Sequence, residues 1–128
     1  MRTTSKVLHP ELSYAIIGAA FSVYNTLQFG HKEIVYQRAF AEELNLAKLE
    51  FEREARFKVL YRKRTMGVYV ADFIIANKIV VELKVRSKIG YVHIRQVATY
   101  LRATNYELAI LIYFTKDGVK YRRVLQPA

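Results

Sequence analysis

Two acidic residues interrupt apolar segments of the chain, and their positions are the first sign of chemistry. Asp72 lies within the apolar run of residues 69–75, and Glu82 lies within the similar run of residues 79–85. A charged side chain in such a segment is costly to bury unless another charge or several hydrogen bonds compensate it. Both acids are therefore candidates for a functional site.

The spacing of the two acids predicts that they meet across a β-hairpin. With the turn centred on Asn77, Asp72 and Glu82 are equally far from it and face each other with Cβ atoms about 5 Å apart. Two carboxylates this close repel each other unless they share a proton or bind a cation. Lys84 follows two residues after Glu82 and so projects from the same face of the strand. This set of oxygen donors beside an amine suits Mg²⁺ and phosphate chemistry, whereas a buried ion pair of Asp72 with Lys84 is the alternative.

The hydrophobic pattern predicts the elements that position these residues. Apolar residues recur at helical spacing in residues 12–27, 31–46 and 91–104. Alternation predicts a strand or a long hairpin over residues 49–64, and further strands are predicted over residues 68–75, 79–85, 108–114 and 119–125. This order favours an α/β sandwich with a mixed central β-sheet, formed by a single domain of residues 1–128.

Composition narrows the class of protein. The chain has 21 Lys and Arg against 11 Asp and Glu, a formal net charge of +10. This charge attracts polyanions such as nucleic acid, although a basic surface also keeps a small protein soluble. Because the chain has no cysteine, disulfides, thiolate zinc sites and cysteine nucleophiles are excluded. No stretch has the length of a membrane span and the N-terminus lacks the pattern of a secretory signal, so the sequence predicts a cytoplasmic protein that does not bind membranes.

The acids and the lysine resemble the core of a known enzyme group. Asp72, nine intervening residues and then Glu82-x-Lys84 resemble the D-x(n)-E-x-K core of the PD-(D/E)XK nuclease superfamily. Ala71 stands where the name-giving proline would be. The resemblance extends over about residues 12–114.

Two further segments strengthen this resemblance. Gly30-x-x-Glu33-x-x-Tyr36 is similar to the signature of the small GxxExxY proteins, a branch of the same superfamily. Gln96-x-x-x-Tyr100 is similar to the QxxxY motif of RecB-like exonuclease domains. The motifs occur in the order and spacing of the family.

The resemblance implies a restriction-endonuclease-like fold and a Mg²⁺-dependent nuclease, with Mn²⁺ as a substitute metal. It implies metal ligation by Asp72, Glu82 and Glu33, and catalysis by Lys84 together with these acids. Gln96 and Tyr100 would steady the substrate or the site. The alternatives are a solvated Glu33 in a first helical turn and a merely polar helix edge at 96 and 100.

Basic residues outside the core are candidates for binding the phosphates of nucleic acid. They are Arg62, Lys63, Arg64, Arg86, Lys88 and Arg95. The three histidines show no metal-ligand spacing, so we leave them out of the predicted site. These are His9, His31 and His93.

The sequence thus favours a metal-dependent deoxyribonuclease. The alternatives are a catalytically silent nucleic-acid-binding module of the same fold and a small scaffold protein, which would leave the charged hairpin unexplained. Because the chain is small, a homodimer or a larger complex is expected to hold the substrate. The sequence does not separate exonuclease from endonuclease activity or DNA from RNA.

Overall fold

The predicted α/β class with a mixed sheet is confirmed. The computed structural model describes residues 8–88 and 90–127. Its elements are α1 (Pro10–Leu27), α2 (Glu33–Leu46), β1 (Phe51–Tyr61), β2 (Arg64–Ile75), β3 (Ile79–Val85), α3 (Tyr91–Arg102), β4 (Leu108–Thr115) and β5 (Gly118–Leu125). Within the described residues, no helix is both long and apolar enough to cross a bilayer.

The sheet has the order β1-β2-β3-β4-β5, with β3 at its centre. The β3–β4 pair is parallel and the other three pairs are antiparallel. A parallel pair needs a crossover connection, and α3 supplies it between β3 and β4. Helices α1 and α2 cover one face of the sheet, and α3 covers the other.

The central strand β3 is buried on both faces and sets the direction of its side chains. Val81 and Leu83 pack in the core under α1 and α2, as predicted, whereas Val80 packs in the core under α3. Because side chains alternate along a strand, Glu82 and Lys84 project to the α3 side.

Strand β2 begins at Arg64, four positions before the predicted start at residue 68. Only residues 73–75 of β2 pair with β3. In residues 56–70, β1 and β2 therefore pair only with each other, and we call this two-stranded segment the hairpin arm. The side chains of the arm are mostly exposed on both faces. The first residues of β2 therefore show no clear alternation of apolar and polar residues. At the tip of the arm, Arg62 and Lys63 both have positive φ angles, 51° and 66°.

Candidate active site

The ladder between β2 and β3 stops just before the two acids. It covers residues 73–75 and 79–81, with the predicted register. Beyond it, the Asp72 N–H donates to Oε2 of Glu82 over 3.0 Å, and the Leu83 N–H donates to Oδ2 of Asp72 over 2.8 Å. The two carboxylates therefore bridge the strands where the main-chain ladder is open.

Burial makes both carboxylates hard to ionise. Glu82 is 7% exposed, and burial together with the charge of Asp72 raises its pKa to about 7. Burial also raises the pKa of Asp72, against the hydrogen bond from Leu83 and the charge of Lys84. Lys84 lowers the pKa of both acids, so its ammonium group acts on the same site. When both acids are ionised, the charge of one lysine does not offset theirs.

The side-chain alternation of β1 and β2 breaks at the same level. Phe73 packs under α1 and α2, but Ala71, two positions earlier, packs under α3. The break lies beside Glu54 of β1, which has a left-handed backbone with φ 52°, rare for a non-glycine residue. Glu54 also raises the pKa of Asp72 through its charge. A local irregularity in both strands thus accompanies the turn of Asp72 into the site.

His93, which the sequence analysis excluded, lies close enough to Lys84 and Glu33 for their charges to act on it. It belongs to the first turn of α3, and its Nδ1 is 2.9 Å from the hydroxyl of Tyr113 on β4. Tyr113 is the strand partner of Lys84. Burial lowers the pKa of His93, the charges of Lys84 and Arg86 lower it further, and Glu33 raises it.

Tyr113 connects His93 to the sheet through one of its two ring nitrogens. Burial raises the pKa of Tyr113, whereas a hydrogen bond with the Gly90 backbone lowers it. The hydroxyl is hydrogen-bonded to Nδ1 of His93, so Nε2 is the ring nitrogen that this bond does not use.

The segment from Gly30 to Tyr36 fixes the start of α2. Tyr36 is fully buried, and its ring stacks on Phe114 with centroids 4.6 Å apart. Its hydroxyl donates to the Gln28 carbonyl and accepts from the His31 N–H over 3.4 Å. The loop before α2 is therefore anchored to the sheet by one tyrosine.

Glu33 is the first residue of the helix that this loop positions. Its side chain is exposed, and its charge raises the pKa of both Asp72 and His93. Within residues 8–88 and 90–127, no group of three or more His, Asp or Glu side chains is close enough to hold a metal ion. The structure brings Asp72 and Glu82 together. Glu33 is near enough for its charge to act on Asp72, but the three side chains do not form one metal-binding group.

The loop before α2 yields a stability prediction. Gly30 has a φ of 127°, which only glycine adopts readily, and a Cβ there would meet no atom within 4 Å. We expect Gly30→Ala to lower the free energy of unfolding by about 1–3 kcal/mol through backbone strain alone. Gly18→Ala in the exposed face of α1 is the matched control and should raise it by up to about 1 kcal/mol. Urea unfolding measures both, and equal midpoints for the Gly30 variant and the parent would contradict the expectation.

The two residues of the Gln96-x-x-x-Tyr100 segment differ in environment. Gln96 is exposed, whereas Tyr100 is 4% exposed and stacks on Tyr69 with ring centroids 3.9 Å apart. Tyr69 in turn is hydrogen-bonded to the Glu82 side chain, which lowers the pKa of Glu82. Tyr100 thus packs on Tyr69, a residue that sequence reasoning missed, and the charge of Glu82 contributes to raising the pKa of Tyr100.

The predicted phosphate-binding residues lie in two places. Arg62, Lys63 and Arg64 lie exposed at the tip of the hairpin arm. The others are exposed on or near α3, and the charge of one of them, Arg86, acts on His93. This second set is Arg86, Lys88 and Arg95.

Comparison with known families agrees with this geometry. A model of the PD-(D/E)XK nuclease superfamily matches residues 10–124. The chain belongs to the PD-(D/E)XK nuclease superfamily. Members of the superfamily are typically nucleases that act on nucleic acid and generally use divalent metal ions, so membership indicates nuclease chemistry for this chain.

Other comparisons add little to the superfamily assignment. No curated protein matches the chain. The chain is similar to a solved structure described as "Crystal structure of SSO0001", with 19% identity and a TM-score of 0.46 over 92% of this chain and 79% of that chain.

The carboxylates of this PD-(D/E)XK chain fit a divalent cation by their chemistry. Asp72 and Glu82 offer hard oxygen donors of the kind that Mg²⁺ prefers. Burial raises the pKa of both acids, so their ionised forms lack full compensation at the site. A cation bound there would restore the ionised form of both acids. The donor set is therefore consistent with the metal use of the superfamily.

His93 and Tyr69 were missed for different reasons. A lone histidine at the start of a helix has no sequence signal. The partner of His93, Tyr113, lies on β4, 20 residues further along the chain. Tyr69 gave a usable signal, since it lies in the same apolar run as Asp72, but a tyrosine in a strand is ordinary in a core.

Proposed function

We propose that the chain hydrolyses phosphodiester bonds in nucleic acid, with DNA as substrate and Mg²⁺ as metal. The observation that carries the proposal is the carboxylate pair of Asp72 and Glu82 at an open point of the ladder, with Lys84 acting on both. Membership of the PD-(D/E)XK superfamily supports the reaction type. The net charge of +10 supports a polyanionic substrate.

Asp72 and Glu82 would hold the metal, and Glu33 would complete the site through a water molecule. A divalent cation bound there neutralises phosphate charge and lowers the pKa of a coordinated water. The chain prepares for this by keeping two acids close through main-chain hydrogen bonds, so that the carboxylates are oriented before the cation arrives. The Tyr36 anchor keeps the start of α2, and with it Glu33, near Asp72.

Lys84 would act on the substrate directly. Its ammonium group projects to the same face as Glu82, where it orients the attacking water and stabilises negative charge that develops on the phosphate oxygens. His93 would donate from Nε2 to an oxygen of the same phosphate, because Tyr113 occupies its other nitrogen. Both groups favour the transition state, in which the charge on the oxygens is greatest.

Surrounding residues would hold the nucleic acid on either side of the cleaved bond. The basic residues of the hairpin arm and those near α3 would bind backbone phosphates. We further assign the segments Gly30–Tyr36 and Gln96–Tyr100 to the GxxExxY and QxxxY types, the first positioning Glu33 and the second supporting Glu82 through Tyr69. A second copy of the chain would extend the binding surface.

Cleavage assays test the proposal. End-labelled single-stranded, duplex and branched DNA, and matched RNA, are incubated with the protein with Mg²⁺, with Mn²⁺ or with a chelator. We expect DNA cleavage that requires the metal and is lost in Asp72→Asn. Binding without cleavage under every metal would reject the proposed reaction and favour a silent binding module.

His93 provides a more specific prediction. We expect His93→Ala to lower kcat by about 10²-fold with a smaller change in KM, because a donor to the developing charge is lost. His93→Gln should recover part of the rate, since its amide keeps an N–H donor. Tyr113→Phe should lower kcat less, and Tyr121→Phe, on exposed β5, is the matched control. An unchanged kcat for His93→Ala would remove His93 from the site.

A further inference from the structure

A groove lies on the α3 side of the sheet and reaches the carboxylates at Tyr69, and the proposed reaction assigns no ligand to it. It has a volume of about 610 Å³, within the range of about 300–1,000 Å³ typical of ligand sites. Its walls come from the hairpin arm, from α3 and from the loop after α3. The wall residues suited to contact a ligand are Phe57, Tyr69, Gln96, Thr99, Tyr100 and Tyr106.

Four aromatic rings dominate the walls of this groove. Phe57 meets Tyr100 and Tyr106 edge to face, with centroids 5.1 and 6.0 Å apart. Phe57, Tyr69 and Tyr106 are only partly buried, so part of their ring surface faces the groove or solvent. Aromatic rings that are partly open in a concave site are suited to stacking with a flat heterocycle.

Polar groups accompany the rings. Tyr100 lines the groove and is 4% exposed, yet within the described residues its hydroxyl has no hydrogen-bond partner. An unpaired buried hydroxyl costs free energy, and a ligand whose polar edge reaches it removes that cost. The Gln96 and Asn77 amides also line the groove. The combination of flat apolar walls and amide groups fits a ligand with a flat ring and a polar edge.

Two observations connect the groove with the substrate. Tyr69 forms one wall of the groove and is hydrogen-bonded to Glu82, so the groove and the carboxylates share a residue. Lys58 and Lys78 also line the groove and supply cations for phosphate groups. A polymer bound at the carboxylates would therefore continue into an aromatic groove with positive charge at its border.

We propose that this groove binds an unpaired nucleobase next to the cleaved phosphate, so that the preferred substrate has a single-stranded segment there. The inference rests on the proposed nuclease function and names its substrate class. Bases within a duplex are stacked on each other and cannot present their faces to side chains. An unpaired base can stack on Phe57 and Tyr106 and place its polar edge towards Gln96 and Tyr100.

Equilibrium binding in a chelator tests the inference without cleavage. The full chain is titrated into a single-stranded oligonucleotide carrying 2-aminopurine, whose fluorescence reports stacking and is not obscured by tryptophan, which the chain lacks. With the parent chain, we expect the same strand with abasic positions to bind about 5- to 100-fold more weakly, the range of base–aromatic stacking. Phe57→Leu and Tyr106→Leu should weaken binding of the normal strand by a similar factor and leave the abasic strand unchanged.

Two variants serve as controls for these substitutions. Tyr121→Leu removes an exposed ring on β5, and Tyr14→Leu removes an exposed ring on α1, which covers the other face of the sheet. Both should change affinity by no more than about twofold. Equal affinity for normal and abasic strands with the parent chain would overturn the inference even if a variant failed to fold. Stacking without metal-dependent cleavage would reject only the nuclease proposal, and cleavage without stacking would reject only the groove.

Discussion

Loss of the Lys84 charge is expected to reduce metal-dependent cleavage by about 10²- to 10⁴-fold with little loss of nucleic-acid binding. The reason is that the ammonium group acts where charge develops, while binding depends on basic residues spread over the surface. Lys84→Met is the preferred variant because it keeps the apolar stem and removes the charge. Single-turnover cleavage at saturating protein measures the chemical step apart from binding.

The control for this change is Lys48→Met, an exposed lysine between α2 and β1. It removes one positive charge near the β1 end that pairs with Ile75, at the turn end of the β2–β3 hairpin, so its cleavage rate should match the parent. A Lys84→Met enzyme with the parent rate would show that the lysine has no part in the chemistry. Equal losses in both lysine variants would indicate a general effect of charge on substrate binding.

Removal of one buried carboxylate should stabilise the metal-free protein at alkaline pH. Glu82 has a pKa of about 7 in the folded chain, raised from an ordinary value of 4.5 by burial and by Asp72. The folded state therefore holds a proton that the unfolded state releases, and this contribution to stability is present below about pH 4.5 and lost as pH rises to about 7. The loss is on the order of 3 kcal/mol. The Glu82→Gln variant has no carboxyl group to ionise at this position and should not lose this stability.

Urea unfolding of Glu82→Gln and the parent chain at several pH values measures this effect. We expect similar stability near pH 4 and a more stable variant near pH 8, with a gap that Mg²⁺ narrows by stabilising the parent alone. His93 has a lowered pKa and acts in the opposite direction, but both proteins contain it, so its contribution cancels in their difference. Glu42→Gln, an exposed change on α2, is the control. A constant difference in stability across this pH range would show that folding does not raise the pKa of Glu82.

Much of the fold could be predicted because the buried elements carry strong patterns. The helices have clear apolar faces, and β3 and β4 are nearly continuous apolar runs, so their observed ends lie within about two residues of the predicted ones. The hairpin arm was harder to predict, because its strands are mostly exposed and few of its side chains, such as Phe57 and Tyr69, pack against α3. Strand β2 was therefore predicted to begin too late.

The carboxylate pair could be predicted from alternation alone, but its hydrogen bonds could not. Counting from the turn places Asp72 and Glu82 at the same level, and it says nothing of a ladder that opens there. The opening accompanies a left-handed Glu54 on the neighbouring strand, a backbone state that no local residue preference announces. The position of His93 likewise depends on α3 crossing over β4, which only the assembled sheet defines.

The hairpin arm also sets a length scale for the substrate. Its basic tip lies at the far end of the same strand that carries Asp72, and the stretch from Arg64 to Asp72 covers about 26 Å when straight. Duplex DNA advances about 3.4 Å per base pair, so a duplex that touches both ends is roughly eight base pairs long. Shorter fragments would reach the carboxylates without contacting the basic residues at the tip of the arm. Fragments below this length should therefore bind less tightly than longer ones.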